Sequence, residues 1–170
     1  MKRLSAILLV WWVGILSEAG MMPRKMTTLI VVHHSATLTG NAEVFRRYHV
    51  NVRHWADIGY HFVITREGKI EAGRPEHLIG AHALTGRSYN RNPFSVGVCL
   101  VGKDTFTDEQ IKALICLLVR LCRTYHINPL DSRPKHGIEG HHERCPGPGL
   151  DLEKIKKEVF KALYKEKRAE

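Results

Sequence analysis

Apolar and polar positions along this chain fall into short blocks whose period switches between that of a strand and that of a helix. Thr27 to Val32 is apolar and β-branched, which suits a buried strand. Side-chain alternation puts Leu29, Val31 and His33 on one face and Ile30, Val32 and His34 on the other. A regular strand can therefore turn only one of the two histidines toward a given site. Ala42 to Trp55 carries a partly helical pattern through Val44, Phe45, Tyr48 and Val52, with a basic outer face. Tyr60 to Thr65 reads as a second strand, and the turn Arg66-Glu67-Gly68-Lys69 leads into a third, Ile70 to Ala72. Gly80 to Asn92 is rich in Gly, Asn and polar residues and predicts a long loop of the kind that lines sites. Val96 to Val101 is a continuous apolar run, as expected for a central strand.

The second half is more helical. Thr107 and Gln110 have capping-box spacing, and Ile111, Leu114, Ile115, Leu118, Val119 and Cys122 follow as one apolar stripe at helical period. That stripe is core and carries no chemistry. Pro129 to Arg133 is a loop, after which the chain runs back toward His141. Asp151 caps a final amphipathic helix over residues 151–167, with Ile155, Val159, Phe160 and Leu163 inward and lysines outward. There is no internal repeat and no second domain. The pattern predicts an α/β fold, with a central sheet covered by helices.

Composition adds limits. At 170 residues the chain can bury a core without staples, and its hydrophobic and charged fractions are ordinary for a globular protein. The formal net charge of +9 suits a polyanionic partner such as nucleic acid, anionic lipid or an acidic wall polymer. No RNA-binding aromatic motif, helix-turn-helix signature or Arg-rich tract supports nucleic acid, which is not expected as a partner. The four cysteines do not form a disulfide framework: Cys99 sits in a strand-like run, and Cys116 and Cys122, six apart on one helix, point away from each other.

Met1-Lys2-Arg3 is a basic start, Leu4 to Leu16 an uncharged apolar run, and Ser17-Glu18-Ala19 offers small residues where a signal peptidase cuts. The expectation is a signal peptide over residues 1–19, an exported protein, and a domain over residues 20–170. The run is short for a membrane span, so no stable span is expected. An uncleaved anchor is the second reading. Translation from Met21, Met22 or Met26, giving a cytoplasmic protein, is the third. Losing residues 1–19 removes Lys2, Arg3 and Glu18 and lowers the charge by only one, so the basic character belongs to the domain.

Candidate chemistry lies at Gly140 to Gly149. His141, His142 and Cys145 precede a Pro/Gly run that cannot continue a helix. Imidazole and thiolate at close spacing are the donors a borderline-soft ion such as zinc selects. A third donor must come from elsewhere, and the paired histidines His33 and His34 are the obvious source. Three protein ligands and an open position make a catalytic layout, not a closed structural one.

Six blocks in register then make a family resemblance: VVHHSAT (31–37), DIGYHFVI (57–64), EAGRP (71–75), GAHA (80–83), SVGVCLVG (95–102) and GHHERCPG (140–147). Together the chain resembles the zinc-dependent N-acetylmuramoyl-L-alanine amidases, a group that includes phage lysozyme-type amidases and animal peptidoglycan-recognition proteins. The match covers residues 28–152. It implies a mixed sheet flanked by helices, a zinc-floored groove that binds peptidoglycan, and hydrolysis of the amide between N-acetylmuramic acid and L-alanine, by an expected monomer. It also implies His33, His141 and Cys145 as zinc ligands. Tyr60 matches the active-site tyrosine, placed to hydrogen-bond the attacking water or the carbonyl oxygen, and His34 occupies a position often held by Cys. His82 matches a groove-lining histidine, and Arg74, Asn90 and Asn92 are candidate sugar or peptide contacts.

Two departures qualify the expectation of turnover. Many relatives have a longer loop between the late His and the Cys, with Lys or Thr two residues before the Cys. Here His141 and Cys145 are four apart and Glu143 takes that position. The missing cation would then come from Arg144 or Lys135, and Glu143 could serve as general base. Cys99 stands where another amidase branch carries a catalytic Glu, which puts the chain nearer the phage-type branch. The rival to an enzyme is a peptidoglycan-recognition protein that keeps the groove without efficient hydrolysis.

Overall fold

A computed structural model describes residues 21–85 and 89–166; the expected signal peptide, residues 1–19, lies outside the described residues. Among the described residues the elements run β1 (Leu29–His34), α1 (Ala42–Asn51), β2 (Phe62–Ile64), β3 (Ile70–Ala72), β4 (Leu84–Thr85), β5 (Tyr89–Asn90), β6 (Ser95–Leu100), α2 (Asp108–Tyr125), β7 (Gly137–Gly140) and α3 (Leu152–Glu166). A 3-10 turn, Asn92–Phe94, joins β5 to β6. The main sheet runs β3-β2-β6-β1-β7, parallel throughout except for the β2–β3 hairpin, so the α/β class and the mixed sheet are as expected.

β1 and β6 are the buried centre, and their alternation divides the molecule into two layers. Ile30, Val32, Val96, Val98 and Leu100 face α2 and α3, where Leu114, Leu118, Leu121, Ile155 and Val159 complete the larger core. Each such side chain contributes about 1.5–3 kcal/mol when removed from water. Cys99 and Val101 face the other way, with Val63, Ile58, and Ala42 and Phe45 of α1. Leu29 and Val31 are covered on that face by Ala83. His33 continues the same side of β1, so the strand's own period delivers it to this second layer.

Element positions differ from the sequence expectation in five places. β1 ends on His34 rather than Val32, because its ladder with β6 runs through the His33–Cys99 and His34–Leu100 pairs. α1 stops at Asn51, with His54 in the left-handed region (φ 55°), and its buried side is Ala42, Phe45 and His49; Val44, Tyr48 and Val52 are exposed. α2 has the expected capping box; Leu114, Leu118 and Cys122 are buried as expected, Ile111, Ile115 and Val119 are half-buried against the same core, and Leu117 and Leu121 are buried beside them. A helix apolar nearly all round does not reveal its own orientation. Phe160 of α3 lies against Tyr164, ring centroids 4.3 Å apart, rather than in the core. The Gly80 to Asn92 loop contains a small β4–β5 hairpin. All four cysteines are free, and no described helix is long and apolar enough to cross a membrane.

Candidate metal centre and groove

His33, His141 and Cys145 converge. One ligand atom from each lies within 4.8 Å of the others, and His33 Nδ1 is 3.9 Å from Cys145 Sγ. The short spacing between His141 and Cys145 is what closes the set. His142 N donates to Cys145 O at 2.9 Å and Cys145 N donates to His142 O at 2.8 Å, a tight reverse turn that folds the thiol back toward the strand. His141 N donates to Val32 O at 3.2 Å, extending the β1–β7 ladder by one residue.

His34 fastens this turn from the opposite side. Its Nε2 donates to Arg144 O at 2.7 Å, its Nδ1 accepts from Ala36 N at 2.9 Å, and its backbone N–H points at Cys145 Sγ at 3.4 Å. The two adjacent histidines thus do different things, one in the cluster and one behind it.

Behind His33 lies a chain of buried polar groups. His33 Nε2 is 3.0 Å from His82 Nδ1, His82 Nε2 is 3.4 Å from Ser95 Oγ, and Ser95 Oγ donates to Arg91 O at 2.8 Å. With Nδ1 of His33 turned to the cluster, one proton assignment satisfies the chain: His33 donates to His82 and His82 donates to Ser95. Gly97 and Gly80 make room for it, since a Cβ on either would stand 2.5 Å from His82 ring atoms. A glycine in a buried strand often marks such a close approach.

Electrostatics prepare the donors unequally. Burial, reinforced by His141 and Arg91, holds His33 well below the usual imidazole value, and burial with His142 and Arg91 lowers His141 to about 4. Both rings are neutral near pH 7, as ligands must be. Burial pushes the Cys145 thiol up, opposed by the His34 backbone N–H and Arg91, so without a cation it stays protonated. Two imidazoles and a thiol that an ion can deprotonate make a donor set that fits a borderline-soft divalent metal.

The cluster floors an open groove of about 630 Å³, bordered by Trp55, Tyr60, His82, Lys103, Glu143 and Arg144. The Tyr60 ring centroid is 5.2 Å from that of His33. Burial, then the neighbouring Cys99 and Cys145, raises its phenol far above the ordinary tyrosine value, so it remains a hydrogen-bond donor.

Three expected contacts with substrate lie elsewhere. Arg74 is 7% exposed, and its guanidinium donates to Ile58 O, Ile79 O and Asp57 O, holding a loop whose carbonyls have no strand partner. Asn92 is equally buried and accepts from His82 N and Ala83 N. Asn90 is exposed, accepts from Asn92 N at 3.0 Å, and does not border the groove. Of the two cations offered for the missing lysine, Arg144 is on the rim, whereas the Lys135 ammonium lies over Tyr89 and Phe94. Sequence reasoning missed Lys103 on the rim, Trp55 in the wall, and Arg91, Glu139 and Ser95 beneath the ligands. The strand-glycine Gly97 was the one available signal for the buried group.

Fold and site together define a single α/β domain with a three-donor cluster that could hold a metal, open to a groove. Residues 23–148 match the N-acetylmuramoyl-L-alanine amidase family, and the chain belongs to it. It is 39% identical over 145 residues to the endolysin of Escherichia phage T7, covering 77% of this chain and 86% of that protein. The endolysin of Enterobacteria phage T3 is 38% identical over 146 residues, with 78% and 87% covered. Among solved structures, the N-acetylmuramoyl-L-alanine amidase LysC from Clostridium intestinale superposes with a TM-score of 0.71 at 27% identity, covering 83% of this chain and 90% of that one.

Proposed function

We infer that this protein is a zinc amidase that cleaves the bond between N-acetylmuramic acid and L-alanine in peptidoglycan, as an endolysin-like or wall-remodelling hydrolase. The observation that carries the reading is the meeting of His33 with Cys145 across 112 residues of sequence, beside His141, on the floor of a groove. A structural metal would be enclosed; this one would face substrate. His33, His141 and Cys145 would hold zinc, which supplies a Lewis acid that activates water and polarises the amide carbonyl.

The chain's own residues do the rest. Tyr60, neutral at working pH, donates a hydrogen bond to the carbonyl oxygen as negative charge builds there. Glu143, on the rim, takes the proton from the attacking water and passes it to the departing amine as the C–N bond breaks. Arg144 and Lys103 supply positive charge where relatives often place a lysine. His34 and His82 hold the donors rather than the substrate. The reading includes export through residues 1–19, which N-terminal sequencing of the secreted protein would test.

Protein beginning at residue 20, incubated with purified peptidoglycan, tests the activity. New amino groups should appear without new reducing sugar ends, vanish with a chelator and return with zinc. The released peptides should begin with L-alanine. Metal bound, peptidoglycan bound and no amines released would favour the recognition protein, for which Glu143 in place of a cation is the motivating feature.

A further inference from the structure

Among the described residues β7 is the sheet's edge strand, paired only with β1. Buried edge carbonyls need donors from elsewhere. Arg91 provides them from the segment that follows β5. Its side chain is 4% exposed; Nη1 donates to Glu139 Oε2 at 2.9 Å and to Gly140 O at 3.1 Å, and Nη2 donates to His141 O at 2.5 Å. One planar fork thus grips three consecutive residues, the last of them a member of the metal cluster. An ammonium lacks that fixed fork.

The main chain of the same residue reaches the other imidazole. Arg91 N donates to Ala83 O at 3.0 Å, and Arg91 O accepts from Ser95 Oγ, the atom that faces His82, which in turn faces His33. Arg91 Nε is buried with no partner among the described residues. The placement therefore serves the carbonyls of β7 more fully than it serves the arginine.

We propose that Arg91 is a positioning residue of the metal centre, fixing the peptide plane of His141 with its guanidinium and supporting the Ser95–His82–His33 chain with its carbonyl. The two imidazoles, from opposite ends of the sequence, are held at one mutual geometry by one residue. The proposal rests on the assignment of His33, His141 and Cys145 as ligands.

The test uses cobalt(II) as the metal probe in wild type, Arg91→Lys and Arg91→Gln, with thermal melts of the metal-free proteins alongside. Wild type should show a thiolate-to-cobalt absorption band. Arg91→Gln should bind cobalt about 10–100-fold more weakly, with altered visible bands. Arg91→Lys keeps the charge without the fork and should show the same altered bands. Wild-type affinity and spectrum in both variants, whatever their melting temperatures, would overturn the proposal and leave Arg91 a purely structural residue. If Arg91→Gln does not fold, Arg91→Lys alone decides: unchanged cobalt binding refutes, tenfold weakening supports. A wild type that binds no cobalt through a thiolate would instead remove the ligand assignment itself.

Discussion

Tyr60 and Gly97 separate two ways in which a single residue can matter to this site. Tyr60 contributes one polar atom, the phenol hydroxyl, and burial keeps that atom protonated. Tyr60→Phe should lower kcat about 100–1000-fold, the usual cost of losing one donor to a developing oxyanion, while metal content by elemental analysis stays at wild type. Equal loss of metal would move Tyr60 from chemistry to structure. Gly97 contributes an absence. A methyl there would meet His82 Cγ and Cδ2 at 2.5 Å, driving that ring against His33. Gly97→Ala should weaken zinc binding about 10–100-fold in a chelator competition, as disturbing a ligand's supporting partner generally does; wild-type affinity would show that His82 plays no part in holding the ligand. Strand alternation allowed only one of His33 and His34 into the cluster, and the family resemblance singled out His33. Arg74 and Arg91 were not, since a buried arginine that donates to carbonyls has the same local sequence as a surface one.

Elements were read best where their pattern is local. The capping box of α2 depends on Thr107 and Gln110 alone, and both bonds form at 3.1 Å. β7 depends on nothing local: Gly137-Ile138-Glu139-Gly140 has low strand propensity and becomes a strand by pairing with β1. α1 was misread because His49, not Tyr48, turns inward to accept from Gly59 N and to stack on Trp55 at 4.6 Å. The segment before β1 carries a prediction of its own. Arg24 donates to Glu76 O at 2.5 Å, Leu78 O at 3.0 Å and Ser95 O at 3.3 Å, and Ile79 N donates to Met22 O, so residues 22–24 are stitched to the loop after β3. Protein translated from Met26 would lose those donations, and of the three carbonyls Leu78 O would keep a donor in His61 Nε2. Compared with protein starting at Met21, it should lose about 2–3 kcal/mol, or about 5–10 °C in Tm, and Arg24→Met in the longer form should reproduce most of the loss. Equal melting of all three would show the strap to be dispensable and would leave Met26 a workable start.

For the molecule as a whole, the buried histidines and Cys145 make both the metal-free stability and the gain from metal grow as pH rises. Burial lowers His61 to about 3 and, with His142 and Arg91, His141 to about 4, both from 6.5 in the unfolded chain. Groups lowered on folding give stability that is complete above pH 6.5 and is lost as the pH falls toward their folded values, because the unfolded state binds the extra protons. Metal-stripped protein should therefore melt at steadily lower temperature from pH 6.5 to pH 4.5. Zinc adds stability wherever it binds, about 2.7 kcal/mol when free metal exceeds Kd a hundredfold. Its binding must displace the proton that burial keeps on Cys145, so the gap between loaded and stripped melting curves should widen as pH rises from 6 to 8. Both series can be run on one preparation, with and without chelator. A stripped protein whose Tm is flat from pH 7 to 4.5 would mean that the buried imidazoles are solvated in solution. A gap that does not grow with pH would mean that the third ligand is not a thiolate, and Cys145→Ser would then bind zinc as well as wild type.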